Sequence, residues 1–458
     1  MYKPLSGEVE PLISSNHHYV YDGNLAKIPK PEYYTKICDI GEDEYFVKEA
    51  TPTSVYNNGN RLWYCIYSDG SAMSHLYCAW SNNDGILTPC ADYYIEYADT
   101  PDEVIFFSGQ PVKKSGIFCI FKNSSNTMFE CDLQNGSLSF YYINQSDYYT
   151  PTLVTHGRGN SYEQALAAGS TDATSPKYPE NENILGGGFL AYYSSDGYSS
   201  SFDLPVAGID DRNISIKIYT RSGVYSEFLI GGDEDYAECS TLAPVTVRAT
   251  INRAEGKLLF TAGGDAYPIP KYADYGSNNI KIKGYKSHGD RLSLFNGCTN
   301  AVTNGTSLLF YCRYSNYCFV SNVNNPLYIQ LSGYKATGLE LITGAIGYDN
   351  GFYIFKRGEM HRLAVNTTCA GDDGVVYDKI SLVLKRINGE YGCKYPDTLC
   401  NTGDRVIWCD RGYIYCYKNG RVGETPVLKP DATPIAVDYK AGFYYIIYEG
   451  GRYKVVRV

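Results

Sequence analysis

Six histidines (His17, His18, His75, His156, His288 and His361) and fifteen cysteines could ligate a metal or supply a nucleophile. Zinc sites draw on ligands grouped in short, repeated spacings, with cysteines roughly two to four residues apart. No C-x-x-C occurs here, and only His17 and His18 are adjacent. The closest cysteine pairs are Cys312/Cys318, Cys393/Cys400 and Cys409/Cys416. The last pair brackets a hairpin loop and could be bridged; the plainer expectation is buried free thiols that behave as small hydrophobes. The acidic run Gly231 to Glu238 lacks the glycine and spaced oxygen ligands of a calcium loop and reads as a hydrated turn.

Acid–base chemistry on sugars needs two carboxylates held across a pocket. Glu96, Asp102 and Glu103 are available, but no spacing sets their separation. Ser81-Asn82-Asn83-Asp84-Gly85 and Ser194-Ser195-Asp196-Gly197 echo half of the S-x-D-x-G-x-T-W box of sialidases; both lack the Thr-Trp and read as turns. Gly157-Arg158-Gly159 and Leu185-Gly186-Gly187-Gly188 lack the Lys-Ser/Thr of a phosphate loop and the third spaced glycine of a dinucleotide site. They read as hinges. Asn123, Asn135, Asn144, Asn213, Asn304 and Asn366 stand in N-x-S/T, a pattern that an Asn- and Ser-rich chain generates by chance. The expectation is no catalytic residue, no metal and no cofactor.

The elements that would position any site are short antiparallel strands. Phe352 to Phe355 is an aromatic and β-branched run, Lys356-Arg357-Gly358 a turn, and Glu359 to Val365 the returning strand. Arg405 to Cys409 and Tyr413 to Tyr417 flank Asp410-Arg411-Gly412, read as a three-residue loop, and Asn419-Gly420 marks the next turn. Arg61 to Tyr67 and Met73 to Trp80 repeat the pattern near the start. Leu292–Phe295, Leu308–Tyr314, Cys318–Val320 and Leu327–Ile329 resume it later. No apolar pattern of helical period intervenes.

Composition agrees. The 458 residues include 47 Tyr, 17 Phe and 45 Gly against 4 Met. Tyrosine suits pleated, half-buried surfaces and glycine suits turns. The net charge of −10 disfavours tight, sequence-independent nucleic-acid binding, although DNA could slide past such a wall without sticking. The amino terminus has no apolar signal segment and no long apolar span occurs, so the expectation is a soluble protein made in a reducing compartment, without stable membrane insertion.

Four-strand groups recurring every ~40–50 residues suggest a β-propeller. We divide the chain into an arm (1–34), a first propeller part (35–148), a linker and inserted all-β domain (149–289), and a second propeller part (290–458). Thr150 to Asn183 reads as a long loop with a weakly helical patch at Tyr162 to Ala168. The longer, alternating strands after Gly186, such as Val245 to Ile251, suit a sandwich or barrel.

The stretches DNGFYIFKRGEMHRL and GCKYPDTLCNTGDRVIWCDRGYIYCYKNG resemble the β-propeller tail proteins of short-tailed bacteriophages, the packaged-DNA stabilisation (tail accessory) and tail-nozzle family. The matching positions are Asn350, Gly351, Phe352, Phe355, Gly392, Cys393, Gly403, Asp404, Trp408, Gly412 and Tyr415, with NRLWYCIYSDG at 60–70 fitting an opening blade. The resemblance covers about eighty residues well and is absent over 150–287; the middle insertion and high cysteine content depart from it. It implies a structural virion protein, one of usually six copies in a homo-oligomeric ring below the portal. Such a ring contacts other tail and connector proteins and tail fibres. Double-stranded DNA passes through it without sequence-specific binding. The implied location is the virion tail, after synthesis in the host cytoplasm. The alternatives are a glycan- or host-surface-binding propeller and a propeller glycosidase.

Overall fold

The computed structural model describes residues 18–21, 24–27, 37–40, 43–46, 48–50, 61–68, 74–81, 87–95, 103–107, 116–122, 125–134, 137–144, 147–157, 179–219, 225–240, 245–271, 278–287, 290–370, 377–426, 434–440, 443–448 and 453–457. The fold is an all-β propeller interrupted by a β-sandwich.

Blade 1 consists of Lys48–Ala50, Arg61–Ser68, Ser74–Ser81 and Leu87–Ile95; blade 2 of Glu103–Phe107, Gly116–Lys122, Ser125–Gln134 and Ser137–Tyr142. After the insertion, blade 3 consists of Asn300–Thr303, Leu308–Tyr311, Tyr317–Val320 and Tyr334–Ala336. Blade 4 is Ile342–Tyr348, Gly351–Lys356, Met360–Ala370 and Tyr377–Asn388. Blade 5 is Cys400–Asn401, Val406–Asp410, Tyr413–Lys418 and Arg421–Pro426, and blade 6 is Pro434–Lys440, Phe443–Tyr448 and Tyr453–Arg457. Every blade is antiparallel with its strands in sequence order. The first strands of blades 2 to 6 lie beside one another in succession, the arrangement of inner strands around an axis.

Alternation along each strand explains the stacking. Leu308 and Phe310 pack toward blade 2, whereas Leu309 and Tyr311 pack toward blade 4. Phe352 and Ile354 face blade 3, whereas Tyr353 and Phe355 face blade 5. Val406 and Trp408 face blade 4, whereas Ile407 and Cys409 face blade 6. A strand buried on both faces loses the polar half of the usual alternation, so these segments are continuous apolar runs.

Three tight turns set the registers. Asp349-Asn350, Arg411-Gly412 and Asn419-Gly420 each have both residues at positive φ, between 49° and 81°. That is the two-residue hairpin turn whose twist matches the strands. Asp410 therefore pairs with Tyr413 inside the ladder, and the loop expected to hold three residues holds two.

The insertion is a two-sheet sandwich with its own core. One sheet runs Thr152–Gly157, Gly188–Tyr193, Ile280–Tyr285, Ile214–Tyr219, Tyr225–Ile230; the other runs Ser201–Asp203, Lys257–Ala262, Val247–Asn252, Tyr236–Cys239, with Asp265–Ala266 beside Lys257–Ala262. Edge-to-face contacts link Tyr193, Phe202, Phe260 and Phe228 across the core at 5.5 to 5.9 Å.

Three expectations about elements need correction. Thr152–Gly157, read as loop, is a strand paired parallel to Gly188–Tyr193. Leu292–Phe295, read as strand, lies in the α-helix Asp290–Asn296. There Leu292 and Phe295, three apart on one helical face, pack into the seam between blades 2 and 3. Leu327–Ile329 is likewise a connection rather than a strand. The patch at 162–168 lies outside the described residues.

Candidate functional site

Five of the positions that carry the resemblance, Phe355, Gly392, Cys393, Trp408 and Tyr415, meet at the seam between blades 4 and 5. Phe355 meets Trp408 edge-on at 5.0 Å, and Trp408 stacks on Tyr415 at 5.4 Å. The Trp408 indole N–H donates to the Gly392 carbonyl at 2.9 Å. Gly392 passes so close to the blade 4 turn that a Cβ there would lie 2.3 Å from the Arg357 carbonyl oxygen. Cys393 beside it is fully buried, and burial pushes its thiol up, with the Asp410 carboxylate adding to the effect. Phe352 faces the other way, into the seam with blade 3. Asn350 and Gly412 form turns, and Gly351 opens the strand against Arg362. These residues build packing and turns and do not line one cleft.

Gly403 and Asp404 stand apart on the surface. The Asp404 carboxylate accepts from Arg405 Nε at 3.0 Å and Nη2 at 2.9 Å, from Lys418 Nζ at 2.6 Å, and from Thr402 Oγ1 at 2.9 Å. The Arg405, Lys418 and Thr402 hydrogen bonds hold it well below the usual carboxylate range.

A second polar cluster, absent from the sequence reading, sits at the same blade 4 turn. The Lys356 side chain is 2% exposed and donates to the Thr337 carbonyl at 2.6 Å, tying the turn to the segment leaving blade 3. Glu359 lies 3.1 Å from Lys356 Nζ, 3.0 Å from His361 Nε2 and 2.9 Å from Arg386 Nε. Burial alone would raise Glu359; the adjacent His361 ring and the hydrogen bond from Lys356 outweigh it and lower the carboxyl. In blade 1, Asp92 accepts from Tyr67 at 2.9 Å and lies 3.1 Å from His75 Nδ1, whose ring stacks on Tyr67. Only the strand register brings these three together, so no sequence spacing could have signalled it.

The third feature is the junction between sandwich and propeller. Asn183 is fully buried. Its amide donates to the carbonyls of Tyr149 and Leu327, both at 2.9 Å, and its Oδ1 accepts from Leu185 N and Ile329 N, both at 3.1 Å. Gln330, also fully buried, donates to Asn181 Oδ1 at 3.2 Å and to Tyr328 Oη at 3.0 Å, and accepts from Ile380 N in blade 4 at 3.0 Å. Tyr328 donates to the Asn181 carbonyl at 2.8 Å, and Lys379 pairs with Glu180 at 3.2 Å.

Leu185 to Gly188, expected to be a hinge, is buried and held. Arg212 Nη1 donates to the Gly186 carbonyl at 2.9 Å, Lys286 N donates to the Gly187 carbonyl at 2.9 Å, and the Lys286 ammonium pairs with Glu182. Gly157 belongs to a strand, and Arg158 and Gly159 lie outside the described residues.

The remaining candidates resolve individually. Asp196 caps its own turn, accepting from Tyr198 N at 2.8 Å, Ser199 N at 2.7 Å and Ser199 Oγ at 2.7 Å. Partial burial opposes these bonds, which nevertheless lower its carboxyl. In the acidic run, Asp235 faces Arg253 at 3.5 Å and Glu238 pairs with Arg248 at 2.6 Å. Among the described residues no group of three or more His, Cys, Asp or Glu is placed to hold a metal ion. Cys409 and Cys416 do not bridge each other, and each lies opposite an isoleucine. Glu96 and Asp102 lie outside the described residues, as does the side chain of Glu103.

Neither a known family nor a curated protein matches the chain. Among solved structures it is similar to virginiamycin B lyase from Staphylococcus aureus, at 10% identity over 90% of this chain and 99% of that one, with a TM-score of 0.29. It is also similar to AztD from Citrobacter koseri, at 9% identity over 91% of each chain, with a TM-score of 0.32. BamB from Moraxella catarrhalis matches 55% of this chain and 84% of its own, at 11% identity and a TM-score of 0.20. Overlap this loose carries no function across, and the propeller assignment stands on the strand pairing and the two-faced burial of the blades.

Proposed function

We propose that the chain is a structural virion protein, a ring-forming component of a short bacteriophage tail that retains packaged DNA and forms part of the ejection channel as nozzle or head-to-tail connector. The observation that carries this reading is the junction. Asn183 and Gln330 spend their hydrogen-bonding capacity on clamping the sandwich to blades 3 and 4, which suits a part that bears load as one body. Phe355, Cys393, Trp408 and Tyr415, which carry part of the resemblance, support it by packing blade 4 against blade 5.

In this reading copies of the chain meet through tyrosine-bearing surfaces such as Tyr141 and Tyr142, exposed on the edge strand of blade 2. Aromatic residues are favoured at such contacts. Other tail and connector proteins and the fibres adjoin the ring, and the net charge of −10 lets double-stranded DNA pass without adhering. No helix among the described residues is long and apolar enough to cross a membrane.

Negative-stain imaging and mass photometry of the purified protein, with immunolabelling of purified particles, test the proposal. The expected result is a closed ring of copies, about six, and label at the tail. A protein absent from particles ends it. A second reading, a glycan-binding role for the inserted domain, is favoured by the outer face of its first sheet.

A further inference from the structure

We propose that the outer face of the sandwich sheet built around Ile280–Tyr285 binds an acidic polysaccharide, a sugar polymer carrying carboxylates. This does not depend on a place in a tail. Along that strand Ile280 and Ile282 point into the core, so Lys281 and Lys283 point outward. The register sets Lys281 between Tyr192 and Lys217, and Lys283 between Leu190 and Ser215. The face is therefore a ladder of ammonium groups edged by tyrosine and serine hydroxyls.

Lys217 is already committed to Glu227, at 3.1 Å. Lys281 and Lys283 have no carboxylate partner among the described residues. Each ammonium instead lies 5.6 Å from a tyrosine ring centroid, Lys281 over Tyr192 and Lys283 over Tyr285. Arg212 covers Tyr285 as well, at 4.1 Å. Two unneutralised, half-buried cations side by side on a chain of net charge −10 are complementary to an anion.

The geometry also selects among anions. Residues two apart on a strand are separated by roughly 6.5–7 Å, so the two ammonium groups, each on a flexible stem, can engage separate carboxylates of one extended polyanion lying on a flat sheet. Single-stranded nucleic acid binds through free aromatic platforms and a continuous basic track. Here cations cap the Tyr192 and Tyr285 rings, and Glu227 interrupts the track. The Tyr192 hydroxyl can donate to and accept from sugar hydroxyls, and Ser215, whose proton goes to Glu227 at 3.2 Å, keeps acceptor capacity.

The test measures binding of the full-length protein to polygalacturonate, with dextran and an oligodeoxythymidine as comparators, at low and raised salt. The expected result is salt-sensitive binding to polygalacturonate above both comparators, weakened about tenfold or more in K281E/K283E. The charge-matched control K257E/K271E, reversed at exposed lysines elsewhere on the domain, should bind as the parent does. Thermal melts check that both variants fold. The proposal is overturned if polygalacturonate binds no better than dextran, if the control loses as much as K281E/K283E, or if the oligonucleotide binds more tightly and is the ligand that K281E/K283E loses. If K281E/K283E does not fold, K281Q/K283Q replaces it, with the same expected and overturning results.

Discussion

Trp408 and Gly392 are joined by a hydrogen bond of 2.9 Å that connects the second strand of blade 5 to the segment entering that blade. The same segment presses against the turn of blade 4, where the Gly392 backbone leaves no room for a side chain. One donor and one missing Cβ thus set the spacing of two blades.

Trp408→Phe keeps the ring contacts with Phe355 and Tyr415 but strands the Gly392 carbonyl, and should cost about 1–2 kcal/mol. Trp408→Ala removes the packing as well and should cost about 3–5 kcal/mol. Gly392→Ala, which brings a methyl against two backbone carbonyls, should be destabilising although it adds only one carbon. Chemical denaturation of the three variants gives the order.

At the junction, Asn183→Ala removes both ends of an amide that satisfies four backbone groups. The expected loss is about 3 kcal/mol or more, with Asn183→Asp also destabilising because it exchanges a donor for a buried charge. Hydrogen exchange should show faster exchange at the Leu185 and Ile329 amides, which lose their acceptor. Unchanged protection at both would contradict the clamp.

Stability should fall on the acid side through Glu359. Its carboxyl is lowered in the folded state relative to the ordinary 4.5. The unfolded chain therefore binds the proton first as pH falls, and the stabilising contribution is present in full above the ordinary value. It is lost as pH drops through the lower, folded value. Glu359→Gln should be less stable than the parent near neutrality and lose less stability than the parent between neutral and acidic pH. Melting curves across that range measure the convergence.

Thiol reactivity should follow burial. Cys369 is exposed, whereas burial pushes Cys90 and Cys318 up to about 12 and raises Cys78, Cys119, Cys298 and Cys393 as well. Native protein should show a fast phase with a thiol-reactive chromophore that Cys369→Ser removes, and the buried thiols should appear only after unfolding.

The strands and tight turns were legible in the chain because their causes are local. Gly412 and Gly420 tolerate left-handed backbone where hairpin turns need it, and runs such as Phe352 to Phe355 favour extended structure whatever surrounds them. Tertiary structure alone decided which partner each face met, and so turned those apolar runs into stacked blades. It also made a helix of Asp290–Asn296, because the seam between blades 2 and 3 accepts Leu292 and Phe295 from one helical face. The chemistry-bearing clusters were illegible for the same reason. Asn183 and Gln330 are separated by 147 positions in sequence, and Lys281 meets Lys217 only through a register. Hydrogen bonds and charges act over a few ångströms in space, and only folding converts distant positions into that separation.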